Sequence, residues 1–386
     1  MHPLLEFCES QRDWVLEATE SLASIESPTT DKQAVDRCGA ELERRLRAIG
    51  ARVERLPRNT AGDHLLAEFG CGTSQVLLLG HFDTVWPLWQ LQRMPLDRRG
   101  GRLYGPGTFD MKAGIAIGML AVRALFERGP QPALRVVMLW TSDEETGSAT
   151  SRSVIEDEAR RSDAVLVLEP SLPGGGVKTM RKGCGEFELV VHGIAAHAGI
   201  DPEKGASAIH ELARQIVVLQ KLQDLDRGVS INVGTITGGT RTNVIAEEAR
   251  ARIDVRVPKR ADAERVTAAF RNLRPNMPGT SLELTGGIGR PPLERTDAVV
   301  ELYETARAVA AELGYDLREG STGGGSDGNF TAALGVGTLD GLGAVGDGAH
   351  AAHEHVEIDA LGWRAALVAG LIQRVGARYH GIDGRR

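Results

Sequence analysis

Residues 76–84 read VLLLGHFDT. The apolar run halts at Gly80 and delivers His81 and Asp83, one residue apart, where a strand would end. Two further runs finish the same way: RVVMLWTSDEE ends on Asp143, Glu144 and Glu145, and AVLVLEP ends on Glu169. Short runs rich in branched apolar residues and bounded by turn residues are the pattern of strands buried in a parallel sheet. In open α/β sheets ligands bind outside the carboxyl ends of the strands, so these acids and this imidazole should converge. Taken singly, a strand-end Asp is more often a helix N-cap than a ligand. The adjacent pair Glu144–Glu145 shifts that balance, because two carboxylates carried together into a crevice are costly unless cations compensate. A divalent metal is the simplest compensation, and the chain reads as a metallohydrolase.

Working outward, residues 9–24 and 32–49 carry apolar positions at helical spacing, the second stretch ending at Gly50. ARVERL, HLLAEF and VLLLGHF then read as strands, and AGIAIGMLAVRALF, from Ala113 to Phe126, as a helix buried against a sheet. Asp110 sits just upstream in the tight GPGTFDMKAG loop. Through residue 170 the alternation predicts an α/β fold, a mixed and mostly parallel sheet flanked by helices. The texture changes near residue 174, after GGG at 174–176: GEFELVVHG alternates polar and apolar residues like an antiparallel strand with one wet face. Helix 205–222, strands 229–236 and 247–257, and helix 262–273 follow. That order, strand-helix-strand-strand-helix, predicts an α+β two-layer sandwich inserted into the larger domain. The reading is a discontinuous catalytic domain, 1–178 and 289–386, with an inserted lid and dimerisation domain at 179–288. Helix 297–313, a Gly-rich loop 320–328 and a terminal helix 359–378 complete the first domain, and 174–176 and 286–289 offer hinge freedom.

A chain of 386 residues suggests two domains. No apolar run is long enough to span a bilayer, and MHPLLEFCESQRDWV lacks the basic-then-apolar pattern of a signal peptide, so the expected location is cytoplasmic. Cys8, Cys38, Cys71 and Cys184 show no CxxC spacing, which argues against a Cys-type zinc site or a disulfide framework. A net charge of -7 without a Lys/Arg block disfavours nucleic acid and anionic membranes as partners. What remains is small-molecule chemistry.

Zinc takes His nitrogen and carboxylate oxygen, and two ions can share a bridging carboxylate. The candidates are His81, Asp83, Asp110, Glu144, Glu145, Glu169 and a late histidine. One His and one acid per ion plus one bridge uses five of these and leaves two acids over. A ligating imidazole usually has its other nitrogen held, and Asp83, on the same strand face as His81, is placed for that. One of the adjacent glutamates must point away from the metal, where a free carboxylate serves as general base. GDGAHAAHEHV offers His350, His353 and His355 as the late ligand. No HExxH helix suggests a single-zinc protease, and the Gly323–Gly325 stretch lacks the Lys-Ser/Thr ending of a phosphate loop.

The motifs GHFDTV, LYGPGTFDMKAG, SDEETGS, LEPS, HGIAAHAG, NVIAEEARARIDVR, TGGGSD and GDGAH occur in that order over nearly the whole chain. Together they resemble the dinuclear zinc exopeptidases and deacylases, which include glutamate carboxypeptidase, aminoacylase, acetylornithine deacetylase and succinyl-diaminopimelate desuccinylase. The glutamate carboxypeptidase branch is nearest, through GPG, TGGGSD and GRPPL. The resemblance implies two zinc ions per chain, with cobalt or manganese as substitutes. It makes His81, Asp110 and Glu169 the ligands of one ion and Asp110, Glu145 and His350 those of the other, with His353 as the alternative to His350. It makes Glu144 the general base and Asp83 the residue that orients His81.

It further implies a homodimer through the inserted domain. His197 would serve the neighbouring subunit's oxyanion, Asn243 would lie near it, and Arg256 would bind the substrate carboxylate, as a planar fork suits. Without the resemblance, His197 reads as a loop histidine and Arg256 as a solvated strand residue. Gly324, Gly325 and Ser326 could form a backbone nest for a carboxylate. The expected activity is hydrolysis of an amide next to a free carboxylate, releasing a C-terminal amino acid from a peptide or N-acyl amino acid. Acetylornithine or succinyl-diaminopimelate deacylation is the alternative, and a non-catalytic zinc scaffold the rival from another class. Glu144 argues against the scaffold, which has no use for an unliganded carboxylate beside a metal.

Overall fold

The computed structural model describes residues 2–127 and 134–383, with side chains to residue 378. Two compact units are present. Met1–Thr179, Arg295–Ser321 and Ser326–Arg386 form the first, and Met180–Glu294 with Thr322–Gly325 the second. Ten strands define the two main sheets. In chain order they are β1 (Arg52–Leu56), β2 (His64–Phe69), β3 (Ser74–His81), β4 (Leu134–Thr141), β5 (Ala164–Val167), β6 (Gly183–His192), β7 (Ser230–Gly238), β8 (Glu248–Val257), β9 (Ser281–Arg290) and β10 (Thr338–Leu339).

The first unit is built on a six-stranded sheet in the order β1-β2-β4-β3-β5-β10. β3 runs parallel to β4 and β5, and β10 is parallel to β5, while β1, β2 and β4 pair antiparallel. Every residue of β3 is buried, because both faces of the sheet are covered. Val76 and Leu78 pack into the core containing helices Ala113–Phe126 and Leu361–Asp383, whereas Leu77 and Leu79 pack with Ile155, Ala159 and Phe330 on the other side. This alternation explains the unbroken apolar run: each side chain has a core to enter, contributing roughly 1.5–3 kcal/mol when fully buried. Helix Ala113–Phe126 is buried over almost its whole length. A Cβ at Gly114 would lie 2.0 Å from the carbonyl oxygen of Leu168, so this glycine lets the helix pack against the chain that leaves β5 one residue before Glu169.

At the N-terminus the expected helix over 9–24 is in fact two helices, Pro3–Ser10 and Arg12–Ala23. The first is started by His2, whose ring accepts from the Leu4 N–H, and by Pro3 in the first turn. Helix Lys32–Ala48 begins at an Asp31 cap that accepts from the Ala34 N–H.

The second unit is an antiparallel sheet in the order β7-β8-β6-β9. Helices Ala208–Gln220 and Arg260–Arg271 pack on one face through Phe187, Leu189, Ile253, Val255, Leu212, Val266 and Phe270. The order is therefore strand-helix-strand-strand-helix-strand, one strand more than expected. The additional strand, β9, contains SLELTGGIGR, whose glycines read as a break. Gly286 instead pairs with Phe187 at φ +86, where a Cβ would sit 2.2 Å from the Glu186 carbonyl oxygen. Residues 286–288 are thus paired strand rather than free hinge, with a register shift between Ile288 and Arg290, and the turn Pro173–Gly175 lies inside the first unit. Among the described residues no helix is long and apolar enough to cross a membrane.

Candidate metal centre

β3, β4 and β5 are held level by pairs such as His81↔Thr141 and Leu79↔Val167, so their carboxyl ends open on one crevice. His81 is the last residue of β3, the turn Glu144–Thr146 follows β4, and Glu169 lies two residues beyond β5. Asp110 stands in the turn Thr108–Lys112 that leads into helix Ala113–Phe126. His350 occupies a left-handed conformation, φ 62, in the loop after Gly346–Asp347.

These elements bring five side chains into two triads that share Asp110: His81, Asp110 and Glu169, and Asp110, Glu145 and His350. His81 Nε2 is 3.3 Å from Asp110 Oδ1 and 3.5 Å from Glu169 Oε1. His350 Nε2 is 3.2 Å from Asp110 Oδ2 and 3.3 Å from Glu145 Oε1. These gaps are long for hydrogen bonds between charged groups, which close to about 2.7–2.9 Å. They match the edge of a tetrahedron of donors around an ion held at about 2.0–2.1 Å, which is about 3.3 Å. Asp110 Oδ1 is also buried without a hydrogen-bond partner, a costly state that a cation between it and His81 Nε2 removes. The donor set of one imidazole and two carboxylates per triad fits a borderline divalent metal.

The electrostatics point the same way. Burial alone would lower the His81 pKa, but the carboxylates of Asp110, Asp83 and Glu169 together hold it well above the usual histidine value. His350 is pushed up to about 10 by Asp110 and then Glu145, against its partial burial. Burial would raise Asp110, yet His350 and His81 keep it well below the usual carboxylate range. Glu145 is raised by burial, only partly offset by His350. Negative charge is thus concentrated where a cation can replace the imidazole protons.

Asp83 lies outside both triads and contacts a member of each, His81 and the main chain of Glu145. Its buried carboxylate accepts from Thr29 Oγ1 at 2.7 Å, from the Glu145 N–H at 3.2 Å and from the Glu144 N–H at 3.4 Å. His81 Nδ1 lies 3.4 Å from Asp83 Oδ1 and donates to the Asp83 carbonyl oxygen at 3.0 Å, which leaves Nε2 to face the triad. Glu144 shares the turn with Glu145, but its carboxylate is in neither triad. Nor are His353 and His355: the latter is buried, its ring tilted against that of Tyr104, with Nδ1 donating to the His353 carbonyl oxygen at 2.9 Å.

Sequence reasoning missed Glu354. This fully buried acid accepts from the N–H groups of Gly107 (2.9 Å), Phe109 (3.0 Å) and Asp110 (3.0 Å) and from Trp86 Nε1 (2.8 Å). Burial pushes its carboxyl up to about 7 although these donors pull it down.

Of the remaining candidates, His197 and Asn243 are exposed neighbours in the second unit, joined by the Ala198 N–H donating to the Asn243 carbonyl oxygen at 3.0 Å. Arg256, also in that unit, directs Nε and Nη2 to Asp254 and Nη1 to Cys184 Sγ at 2.7 Å. Arg290, not singled out from sequence, pairs in register with Cys184 from the other side. The carbonyls of Gly324 and Gly325 accept from Arg181 Nη1. Ser326 departs from the expected nest: it is buried, its hydroxyl donates to Asp340 at 2.6 Å, and its N–H donates to Asn329 Oδ1 at 2.9 Å. Both of its donors are committed to the protein interior.

A paired His-carboxylate cluster at the carboxyl ends of a mainly parallel sheet, with a further acid beside it, defines a metal-dependent hydrolase. The sequence pattern of Peptidase family M20/M25/M40 matches residues 77–374, and the chain belongs to that family. It is 30% identical over 382 residues to Carboxypeptidase G2 of Pseudomonas sp. (strain RS-16), covering 97% of this chain and 92% of that one. It is likewise 30% identical over 380 residues to the succinyl-diaminopimelate desuccinylase of Stenotrophomonas maltophilia (strain R551-3), covering 94% and 99% respectively. Its fold is shared by the aminopeptidase PepT of Bacillus cereus ATCC 10987, with a TM-score of 0.77 at 23% identity, over 94% of this chain and 98% of that one. The chemistry of the family is metal-dependent hydrolysis of amide bonds.

Proposed function

We propose that the chain cleaves an amide next to a free carboxylate, releasing a C-terminal amino acid from a peptide or N-acyl amino acid, with two zinc ions per chain. The observation that carries this reading is Asp110, which faces an imidazole with each of its two carboxylate oxygens. His81, Asp110 and Glu169 would hold one ion, and Asp110, Glu145 and His350 the other. Bound there, the ions supply Lewis-acid polarisation of the scissile carbonyl and an acidified water. Cobalt or manganese can substitute, since availability as much as affinity selects the metal.

Glu144 takes the proton of the attacking water and returns it to the leaving amine, a role suited to an acid held beside the cluster but outside it. Its main chain is fixed by the Asp83 carboxylate, so the base and His81 are oriented by one group. His197 and Asn243 are assigned to the developing oxyanion. Arg256, released from Asp254, with Gly324 and Gly325, is assigned to the substrate carboxylate. Desuccinylase-type deacylation is the second reading, favoured by the near-complete alignment with the desuccinylase. Hydrolysis of dipeptides ending in glutamate, N-acyl glutamates and N-succinyl diamino acids, each with added zinc and with chelator, separates the two readings. No metal-dependent cleavage of any of them would refute both.

The second unit is read as a homodimer contact. Exposed Ile194, Ile200, Ile209, Val217, Val218 and Ile236 support this, as does the unpaired edge of β7. Mixing inactive Glu144→Gln and His197→Ala chains should restore part of the activity if His197 serves the partner's site. No recovery despite demonstrated subunit exchange would rule that out. A cytoplasmic location belongs to the same reading, supported by four cysteines none of which is in a disulfide.

A further inference from the structure

Three separate segments approach the metal centre in the first unit: the chain leaving β3, the turn carrying Asp110, and the loop carrying His350. All three meet at one carboxylate. Glu354 Oε1 accepts from the main-chain N–H groups of Phe109 and Asp110, while Oε2 accepts from the Gly107 N–H and the Trp86 indole. The main chain of Glu354 takes part as well, its carbonyl oxygen accepting from the Gly105 N–H at 3.1 Å. Its own N–H donates to the Ala351 carbonyl oxygen at 2.9 Å, and the Ala351 N–H donates to the Gly348 carbonyl oxygen at 2.8 Å, which closes the loop around His350.

The chemistry of the four partners is uniform. Each is a donor and each carboxylate oxygen faces two of them, which matches the four acceptor sites of a carboxylate group. No other residue type of this size can do the same: an amide offers one acceptor oxygen and presents N–H groups to donors. Glu354 bonds directly to the main chain of Asp110, whose carboxylate faces both histidines, and lies four residues from His350.

We infer that Glu354 is a positioning residue that fixes the Asp110 turn against the His350 loop, and so sets the separation of the donors that receive the second ion. It touches neither substrate nor reacting atoms. Its effect falls on the triad of Asp110, Glu145 and His350, because both the shared carboxylate and the imidazole of that triad ride on segments it holds. The first triad has two members, His81 and Glu169, anchored on β3 and beyond β5 without its help. This inference rests on the two-metal reading above.

The test is titration of metal-free full-length chain with cobalt(II), read by ligand-field absorption and by competition with a chelator. In Glu354→Gln, one of two binding steps should weaken about ten- to a hundredfold, the usual effect of removing an outer partner of a ligand. The spectrum of the ion that remains tight should match that of a His350→Ala chain. General loosening would weaken both steps together, and that result, like two unchanged steps, would overturn the inference. Should Glu354→Gln fail to fold, Trp86→Phe carries the test. It removes one donor and leaves three, so selective weakening of the same step is expected, and an unchanged titration overturns the proposal. Wild-type chain that binds no cobalt would overturn the two-metal reading along with it, whereas normal wild-type binding with unaltered variants overturns this inference alone.

Discussion

Replacing Asp83 by Asn changes one oxygen into an NH2 group and leaves the volume almost untouched, so its consequences are electrostatic. The amide has two orientations. With its oxygen in the Oδ2 position it keeps Thr29 Oγ1 at 2.7 Å and the Glu145 N–H at 3.2 Å, and it turns the NH2 toward the Glu144 N–H and His81 Nδ1. The reverse orientation sacrifices the two shorter bonds, so the first is preferred. One buried N–H then faces another donor, and the remaining bonds lose their charge-assisted character, at a cost of about 2–3 kcal/mol. For a unit of this size that is roughly 4–10 °C of melting temperature. His81 Nδ1 still donates to the Asp83 carbonyl oxygen, so the ring keeps its tautomer, but it loses the adjacent negative charge that raises its basicity. Metal affinity should fall about ten- to a hundredfold. Calorimetry of the metal-free chain measures the first effect, and chelator competition followed by turnover measures the second. An Asp83→Asn chain with wild-type melting, affinity and turnover would refute the assignment of this carboxylate as the organiser of the centre.

Glu144→Gln should retain the metal content of the wild type while kcat falls at least about a hundredfold, as expected for loss of a general base; loss of metal instead would place Glu144 among the ligands. Separate alanine substitutions of His350, His353 and His355 should lower metal stoichiometry only for His350, read by elemental analysis, and loss confined to His353→Ala would contradict the geometry of the second triad. Away from the site, Arg44 and then Ser21 and Arg45 hold the Glu41 carboxyl down to about 2 from an ordinary 4.5. A depressed carboxylate stabilises the fold above its unfolded pKa, and that contribution fades as pH falls from about 4.5 toward 2. The melting difference between wild type and Glu41→Gln should therefore be largest near neutrality and shrink through that window; a difference that grows on acidification would reverse the sign of the argument.

The strands that carry the centre were legible because their signal is local. β3, β4 and β5 contain the unbroken apolar runs 76–79, 136–140 and 164–167, and His81, Glu145 and Glu169 lie within a few residues of the strand ends. β9 was hidden by its own glycines, one of which, Gly286, is required because β6 approaches too closely for a side chain there. Ser326 reads as part of a loop nest because nothing adjacent in sequence reveals Asp340, which with Asn329 draws it inward. Choosing among His350, His353 and His355 needed tertiary structure too: His355 is taken up by strand pairing with Tyr104. Glu354 carries no local signal, since its donors come from Trp86 and residues 107–110, more than two hundred residues away in sequence.

The claim on which everything else depends is that hydrolysis requires two divalent ions bound at the Asp110 cluster. Stepwise addition of zinc to metal-free chain, with bound metal and amide hydrolysis measured on the same samples, tests it most directly. Activity should rise and level off at about two ions per chain, and Asp110→Asn should abolish both uptake and turnover, as loss of a shared bridging ligand requires. Full hydrolysis by chain from which all metal has been removed, or undiminished zinc uptake by Asp110→Asn, would contradict the account.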